Sequence, residues 1–349
     1  MKSQFQSPFL TSIVISSRYL SVWIALGLLF ATAYLIAPGT ISPTSFSAVL
    51  PLTSFLALAA LGQMLVVMTG GIDLSTPGVM TLSAIMAVGI TAGADEKLPI
   101  AIFSALGISL LLGFISGILV GVLKLNPLIV TLAMGQIIYG ATLAYADIVP
   151  NEASVPPMFA AWINNKPLLG LSNVEWTAIG ASLLFVLVFR YAELGRKFQS
   201  VGANPHAAWI LGLRVNGYVI LAYMTAYLLY GLNGILLAGF LRSPSLVIGV
   251  PYLLGPIAAV VIGGASLNGG LANAISTLAA AFFLTLLNQM LRVLGLPTAL
   301  QFAVFGIAII GGMVISGDRI VTLIENSLMG IARFRGRDAE EKKGGASSI

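Results

Sequence analysis

The 349 residues include only 8% charged side chains against 58% hydrophobic ones, with 17 Lys and Arg to 12 Asp and Glu. Apolar spans run from end to end and leave no polar block long enough to fold separately, which excludes a soluble domain or an enzymatic appendage. The absence of cysteine excludes disulfides, thiolate metal sites and thiol nucleophiles, and a single histidine, His206, leaves no histidine cluster for zinc.

The fold class expected is therefore all-α, a polytopic membrane protein with about ten transmembrane helices, each needing about twenty apolar residues. In chain order the candidate spans are Leu20 to Ala37, Phe46 to Met68, Pro77 to Ala92, Leu98 to Leu123 and Leu128 to Ala146, followed by Val174 to Arg190, Asn216 to Leu241, Tyr252 to Ile262, Leu271 to Leu291 and Ala299 to Ile315. The first is read as an uncleaved helix, because its Ala31-Thr32-Ala33 triplet lies inside the apolar run rather than after it. Pro77 to Ala92 and Tyr252 to Ile262 are short for a full crossing, which predicts broken or short helices near Gly70 and Gly263. Residues 1–332 are expected to form the membrane domain, and 333–349, charged and Gly/Ser-rich, a disordered cytoplasmic tail.

The formal charge of +5 sits at span ends rather than in one patch, so it reports topology and not nucleic-acid binding. With ten spans, Lys97, Lys166, Arg242 and Arg292 fall on one side and the other thirteen Lys and Arg on the opposite side. The positive-inside rule then places both termini in the cytoplasm. The longest outer loop, Asp147 to Glu175, holds Trp162 and Trp176, which suit an interfacial belt.

Gly113, Gly117 and Gly121 recur at four-residue spacing, which predicts a close helix contact. Gly70-Gly71-Ile72-Asp73-Leu74-Ser75 and Gly263-Gly264-Ala265-Ser266-Leu267-Asn268 echo each other, each following an apolar span, and a duplicated half is a fair reading. Asp73 is the sole acid between Leu50 and Gly93; at the bilayer centre it would cost about 2.5–3.5 kcal/mol, so it is expected at an interface or beside a protected cavity. Asp73 or Ser75 can cap a helix starting near Pro77, and contact with a passing substrate is the alternative.

Between spans six and seven, Gly195 to Tyr218 is the one long polar interruption with helix punctuation. Asn204 suits an N-cap, Pro205 the first helical position and Gly212 a left-handed cap, predicting a short helix from Pro205 to about Leu211 outside the hydrocarbon. Ala207 and Ala208 keep it slim for a partner, and Trp209, Ile210 and Leu211 make it more apolar than a connector needs.

Three segments in order, TGGIDLS (Thr69 to Ser75), VGANPHAAWILGLRV (Val201 to Val215) and IAAVVIGGASLNGG (Ile257 to Gly270), make the sequence resemble the membrane permease subunits of bacterial ATP-binding cassette importers, in the ribose, xylose and simple-sugar branch. The resemblance runs along nearly the whole chain. It implies a coupling loop at 195–215 in which Gly202, Asn204, Pro205, Ala207, Ala208 and Gly212 meet an ATPase, with His206 standing where the general motif has an acid. It implies two permeases, this one twice or with a paralogue, two ATP-binding subunits and a periplasmic sugar-binding protein in the inner membrane assembly. No cofactor is expected in this chain, which has no GxxxxGK[ST] loop; ATP and Mg²⁺ belong to the partner ATPase. Gly70, Gly71, Asp73, Gln63, Gln136, Asn288 and Gln289 are the candidates for the translocation path, since polar groups inside spans face cavities or partner helices. Arg242 and Arg292 could meet acids on the binding protein. Other cargoes, such as a branched-chain amino acid, a nucleoside or a sugar-derived signal, and a secondary carrier are the alternatives; the last would call for more buried acids than Asp73.

Overall fold

The computed structural model describes residues 8–150 and 153–316; the 333–349 tail lies outside them. Thirteen α-helices succeed one another among these residues: α1 (Pro8–Ile36), α2 (Pro43–Met68), α3 (Thr76–Thr91), α4 (Leu98–Gly121), α5 (Pro127–Ala146), α6 (Pro157–Asn164), α7 (Asn173–Tyr191), α8 (Glu193–Ala203), α9 (Pro205–Ile210), α10 (Val215–Leu241), α11 (Gly255–Ile262), α12 (Ala274–Val293) and α13 (Thr298–Ser316). Seven are long and apolar enough to cross a membrane, and the apolar helical stretches at Thr76–Thr91, Val250–Ile262 and Thr298–Gly311 are shorter. Together these are the ten expected spans, and the two read as short from sequence are short.

Local chemistry sets the boundaries. Proline stands in the first turn of α2, α3, α4, α5 and α11, where a missing N–H leaves no acceptor unpaired. The span expected from Leu271 begins only at Ala274, because the Asn273 side chain accepts from the N–H of Ile275 at 2.9 Å and of Ser276 at 3.3 Å. At the start of α7 the Glu175 carboxylate accepts from the Ser172 N–H, one half of a capping box.

α2 and α10 form the centre. Apolar on all sides, α2 has 89% of its best apolar window buried inside the protein, and α10 has 67%, whereas α1, α4, α5 and α7 have 28% or less. A helix apolar all round belongs in the interior of a bundle, and α10 packs on α4, α3 and α2 while α2 also packs on α12, α11 and α7. The glycine stripe of α4 is what lets α10 come close: a methyl group on Gly113 would lie 2.8 Å from the Tyr223 carbonyl oxygen, one on Gly117 2.7 Å from Ile220 Cα, and one on Gly121 3.2 Å from the Asn216 carbonyl oxygen. Main chain meets main chain there, the contact that drives helix association where lipid removes the hydrophobic drive.

Two elements depart from the expectation. The loop between α5 and α7 contains α6, whose Phe159 and Ile163 are buried against α10 at Gly239, where a methyl group would meet each within 2.7 Å. Trp162 of the same helix is half exposed and stacked on Phe159 at 6.2 Å, so it keeps an interfacial character on a folded element. The segment between α7 and α10 likewise contains α8 in addition to the expected helix.

Replacing Gly117 by leucine should wedge α4 from α10 and cost about 1–3 kcal/mol, the range for overpacking a filled core. The detergent-solubilised protein should then lose its fold at a lower temperature than the wild type, and Gly107→Leu, at a glycine with open space around it, serves as the matched control. Equal midpoints for the two variants would show that this contact does not hold the bundle.

Candidate functional site

α2 and α11 end in the same way. After α2 the Gly70 N–H donates to the Val67 carbonyl oxygen at 2.9 Å and the Gly71 N–H to Val66 at 3.1 Å; after α11 the Gly264 N–H donates to Val261 at 2.9 Å and the Ala265 N–H to Val260 at 3.2 Å. Gly70 has φ +81° and Gly264 φ +87°, so both are the left-handed residue of a Schellman cap. The sequence echo is thus a repeat of geometry, but its register is shifted by one residue. Gly70 corresponds to Gly264, not to Gly263, so Leu267 rather than Ser266 stands at the position of Asp73.

Residues 69–75 then run without helix through the interior, where every backbone group needs a partner. Gln63 of α2 supplies two of them. With its amide oriented to satisfy both neighbours, its nitrogen donates to the Asp73 carbonyl oxygen at 3.0 Å and to Tyr230 Oη at 3.1 Å, and its oxygen accepts from the Asp73 N–H at 3.1 Å. Thr131 of α5 supplies two more, accepting from the Leu74 N–H at 3.1 Å and donating to the Ile72 carbonyl oxygen at 3.3 Å. Asp73 is fully buried, and its Oδ1 accepts from the Ser75 N–H at 2.8 Å and from Ser75 Oγ at 2.6 Å, a turn that leads directly into α3. Asp73 thus closes a turn just before α3, and the expected side-chain cap on α3 itself is not formed. Asp73 Oδ2 and Tyr223 Oη, both buried, have no hydrogen-bond partner among the described residues.

Tyr223, Tyr227 and Tyr230 of α10 are all fully buried beside this break. A methyl group on Gly71 would come within 2.9 Å of Tyr223 Oη, and one on Gly62 within 2.7 Å of Tyr230 Cε1. Tyr227 Oη and Ser116 Oγ of α4 are 2.8 Å apart. Sequence reasoning missed these tyrosines, although their i, i+4, i+7 spacing puts them on one helix face.

Gln63, Gly70, Gly71 and Asp73 are therefore one cluster, but Gln136 and Asn288 are not part of it. Gln136 and Tyr139 of α5 line a cavity of about 280 Å³ with Leu74, Pro77 and Thr81 on one side and Leu246, Val250 and Leu253 on the other. The cavity touches the cluster only through Leu74. Asn288 is on α12, which packs on α2, α11 and α1, and it does not line this cavity; its neighbour Gln289 donates to Ser45 Oγ at 3.3 Å, so Gln289 ties α12 to α2.

The segment between α7 and α10 is two helices joined by Asn204. α8 buries Gly195, Phe198, Val201 and Gly202 along one face, with Phe198 edge-on to Tyr218 at 5.2 Å. On its other face Lys197 Nζ lies 2.8 Å from Glu193 Oε1, and this pair holds the exposed Glu193 carboxyl below its ordinary range and the Lys197 ammonium above its own. α9 comes next, as expected: Asn204 Oδ1 accepts from the Ala207 N–H at 3.0 Å, and Gly212, φ +81°, closes a third Schellman cap with the Leu213 N–H bonded to Ala208. Trp209, Ile210 and Leu211 are exposed, and His206 stacks on Trp209 at 6.2 Å. Of the two alanines in α9, Ala207 is exposed and Ala208 buried.

Replacing Asp73 separates its two roles. Asn keeps the Oδ1 acceptor, so Asp73→Asn should preserve folding and transport, whereas Asp73→Ala should cost about 0.5–1.5 kcal/mol of stability for each hydrogen bond lost from the turn. A transport-dead but stably folded Asp73→Asn would show that the charge, and not the turn, is what this residue provides.

The sequence matches, over residues 45–313, the family described as "Branched-chain amino acid transport system / permease component". It is 29% identical over 298 residues to the ribose import permease protein RbsC of Escherichia coli (strain K12), covering 85% of this chain and 92% of that one. It is 31% identical over 292 residues to the ribose import permease protein RbsC of Bacillus subtilis (strain 168), covering 83% and 90%. It is 31% identical over 270 residues to the galactofuranose transporter permease protein YtfT of Escherichia coli (strain K12), covering 77% and 78%. No solved structure matches the chain. Because residues 45–313 hold nine of the ten apolar spans, both helix breaks and the segment between α7 and α10, the chain belongs to this permease-component family.

Proposed function

We propose that this chain is the permease subunit of an ATP-binding cassette importer, forming the path for a monosaccharide that a periplasmic binding protein delivers and a separate ATPase drives. The observation that carries the reading is α9. A six-residue helix is too short to be stable alone, yet this one is capped at both ends and presents Trp209, Ile210 and Leu211 outside any span. Such a surface suits insertion into a groove of another protein, here the ATPase, with Asn204, Pro205, Ala207, Ala208 and Gly212 shaping the segment and Gly202, buried in α8, tying it to the bundle.

The assembly proposed has two permeases, this chain twice or with a paralogue, and the largely unburied apolar faces of α1, α4, α5 and α7 leave room for that contact and for lipid. Both termini lie in the cytoplasm and the complex sits in the bacterial inner membrane. ATP and Mg²⁺ are held by the ATPase, and nucleic acid has no part.

Sugar cargo is supported by the relatives named for ribose and galactofuranose, and by the cavity beside Gln136. Its polar groups are an amide, a phenol and a hydroxyl, from Gln136, Tyr139 and Thr81, and none is charged. Hydroxyl-rich solutes can exchange hydrogen bonds with such groups, whereas a zwitterionic amino acid would lose its hydration without gaining a counter-charge. Branched-chain amino acids stay as the second reading because the family description names them.

Reconstituted with its ATPase and binding protein, the permease should concentrate a monosaccharide in proteoliposomes only when ATP is supplied, and the permease alone should not concentrate it. Gly212→Glu places a side chain at φ +81°, opens the α9 cap and should reduce both ATPase co-purification and uptake at least tenfold while the protein stays inserted. Uptake of leucine but not sugar would favour the second reading, and accumulation without any ATPase would refute an importer subunit.

A further inference from the structure

The three sequence motifs meet at one point, and they meet through main chain. Gly202, near the end of α8, lies so close to the last residue of α2 that a methyl group on it would overlap the Met68 carbonyl oxygen and stand 2.9 Å from Gly270 Cα. That Met68 oxygen accepts from the Gly270 N–H at 2.9 Å, so the end of α2 is capped by the loop after α11. Gly269, φ +96°, sits where a methyl group would be 2.7 Å from the Gly202 carbonyl oxygen, 3.1 Å from Met68 O and 3.2 Å from Gly70 N. One on Gly270, φ +83°, would be 2.9 Å from Ala203 Cα.

Glycine is a poor helix residue, so Gly202 inside α8 calls for a compensating contact, and this close approach is that contact. We infer that Gly202, Gly269 and Gly270 form a backbone clasp that locks α8 to the breaks after both α2 and α11, so that these three segments move as one body when α9 is displaced. The inference rests on the coupling reading of α9. With no side chain between the three chains, no rotamer change can absorb a displacement of one against another. Asn204 alone separates α8 from α9, so α9 joins the helix that carries the clasp through one residue. The edge-on ring contacts of Phe198 with Phe189, at 6.2 Å, and with Tyr218 hold the same face of α8, one turn earlier, to α7 and α10. Gly202 is thus a positioning residue: buried against the main chain of Met68 and Gly270, it acts through the segments it clasps.

The test uses the full importer with its ATPase and binding protein. Gly202→Ala should keep ATPase co-purification and basal ATP hydrolysis within twofold of wild type, while binding-protein-stimulated hydrolysis and sugar uptake fall at least fivefold. A smaller fall in uptake overturns the clasp, and so does loss of the ATPase, which would assign Gly202 to docking itself. Should the variant not reach the membrane, amide-resolved hydrogen exchange of the wild-type complex decides. If the segments move together, the Gly270 N–H stays bonded to Met68 and its protection changes less than threefold between the resting complex and one trapped with a non-hydrolysable ATP analogue; a larger loss of protection means the clasp opens and overturns the idea. Failure of the coupling reading is distinguishable, because it shows as normal ATPase association and uptake in Gly212→Glu, a variant outside the clasp.

Discussion

A backbone that leaves helix inside a bilayer must find every hydrogen bond within the protein, and the rest of this structure is arranged around two places where that happens. After α2 and again after α11 the chain stops in a Schellman cap with a left-handed glycine. The first break is then stitched by side chains: Gln63 reads both backbone groups of Asp73, and Thr131 those of Ile72 and Leu74. The second break is stitched in part by main chain, since the Gly270 N–H finds Met68 and the Ser266 N–H finds Leu271. An unpaired group in hydrocarbon costs several kcal/mol, so these polar residues inside spans are explained by structure before any substrate is invoked. The same reasoning accounts for the glycines at 62 and 71, which make room for Tyr230 and Tyr223 against the first break.

Much of the fold was legible in the sequence because lipid imposes a long, one-dimensional signal. Ten apolar runs, two of them short, became helices in the expected order, and the spacing of Gly113, Gly117 and Gly121 became the α4–α10 contact. Local chemistry was legible too, as with Asn204 and Gly212 around α9. The illegible part depends on which neighbour a residue meets. α6 is eight residues of ordinary composition that fold because Gly239 of α10 leaves a seat for Phe159 and Ile163, and no local pattern announces a seat so far along the chain. Hydropathy alone could not say that Gln63 serves a backbone turn, that Gln136 lines a cavity, and that Asn288 belongs to neither group. Nor could it orient Ala208, whose inward face depends on how α8 holds α9.

The echo between the two breaks shows the limit of motif matching in another way. Aligned by letters, the paired glycines coincide; aligned by hydrogen bonds, Gly70 pairs with Gly264 and the succeeding residues are out of step. The caps are equivalent, yet the segments beyond them differ. The seven residues of the first break, 69–75, lead through the Asp73 turn to an α3 with no side-chain cap, and the eleven of the second, 263–273, lead to an Asn-capped α12. Two halves with the same stopping device can thus carry different loads, since the buried acid occurs at only one of them.

That asymmetry bears on how a push on α9 would reach a cargo. The first break leads through Leu74 into the cavity lined by Gln136 and Tyr139, and α3 begins one residue after Ser75. Displacing residues 69–75 therefore moves one wall of that cavity, and through the Thr131 bond to Leu74 it also pulls on α5, which carries the amide and the phenol. The second break leads into α12, which packs on α1, α2 and α11 and reaches the cavity through none of its lining residues. A body that joins both breaks converts one displacement into two effects, a change of cavity shape on one side and a shift of α12 against the bundle on the other. Because packed interfaces between helices switch between discrete arrangements rather than deform continuously, a stiff connection at the clasp is what would make those two changes simultaneous.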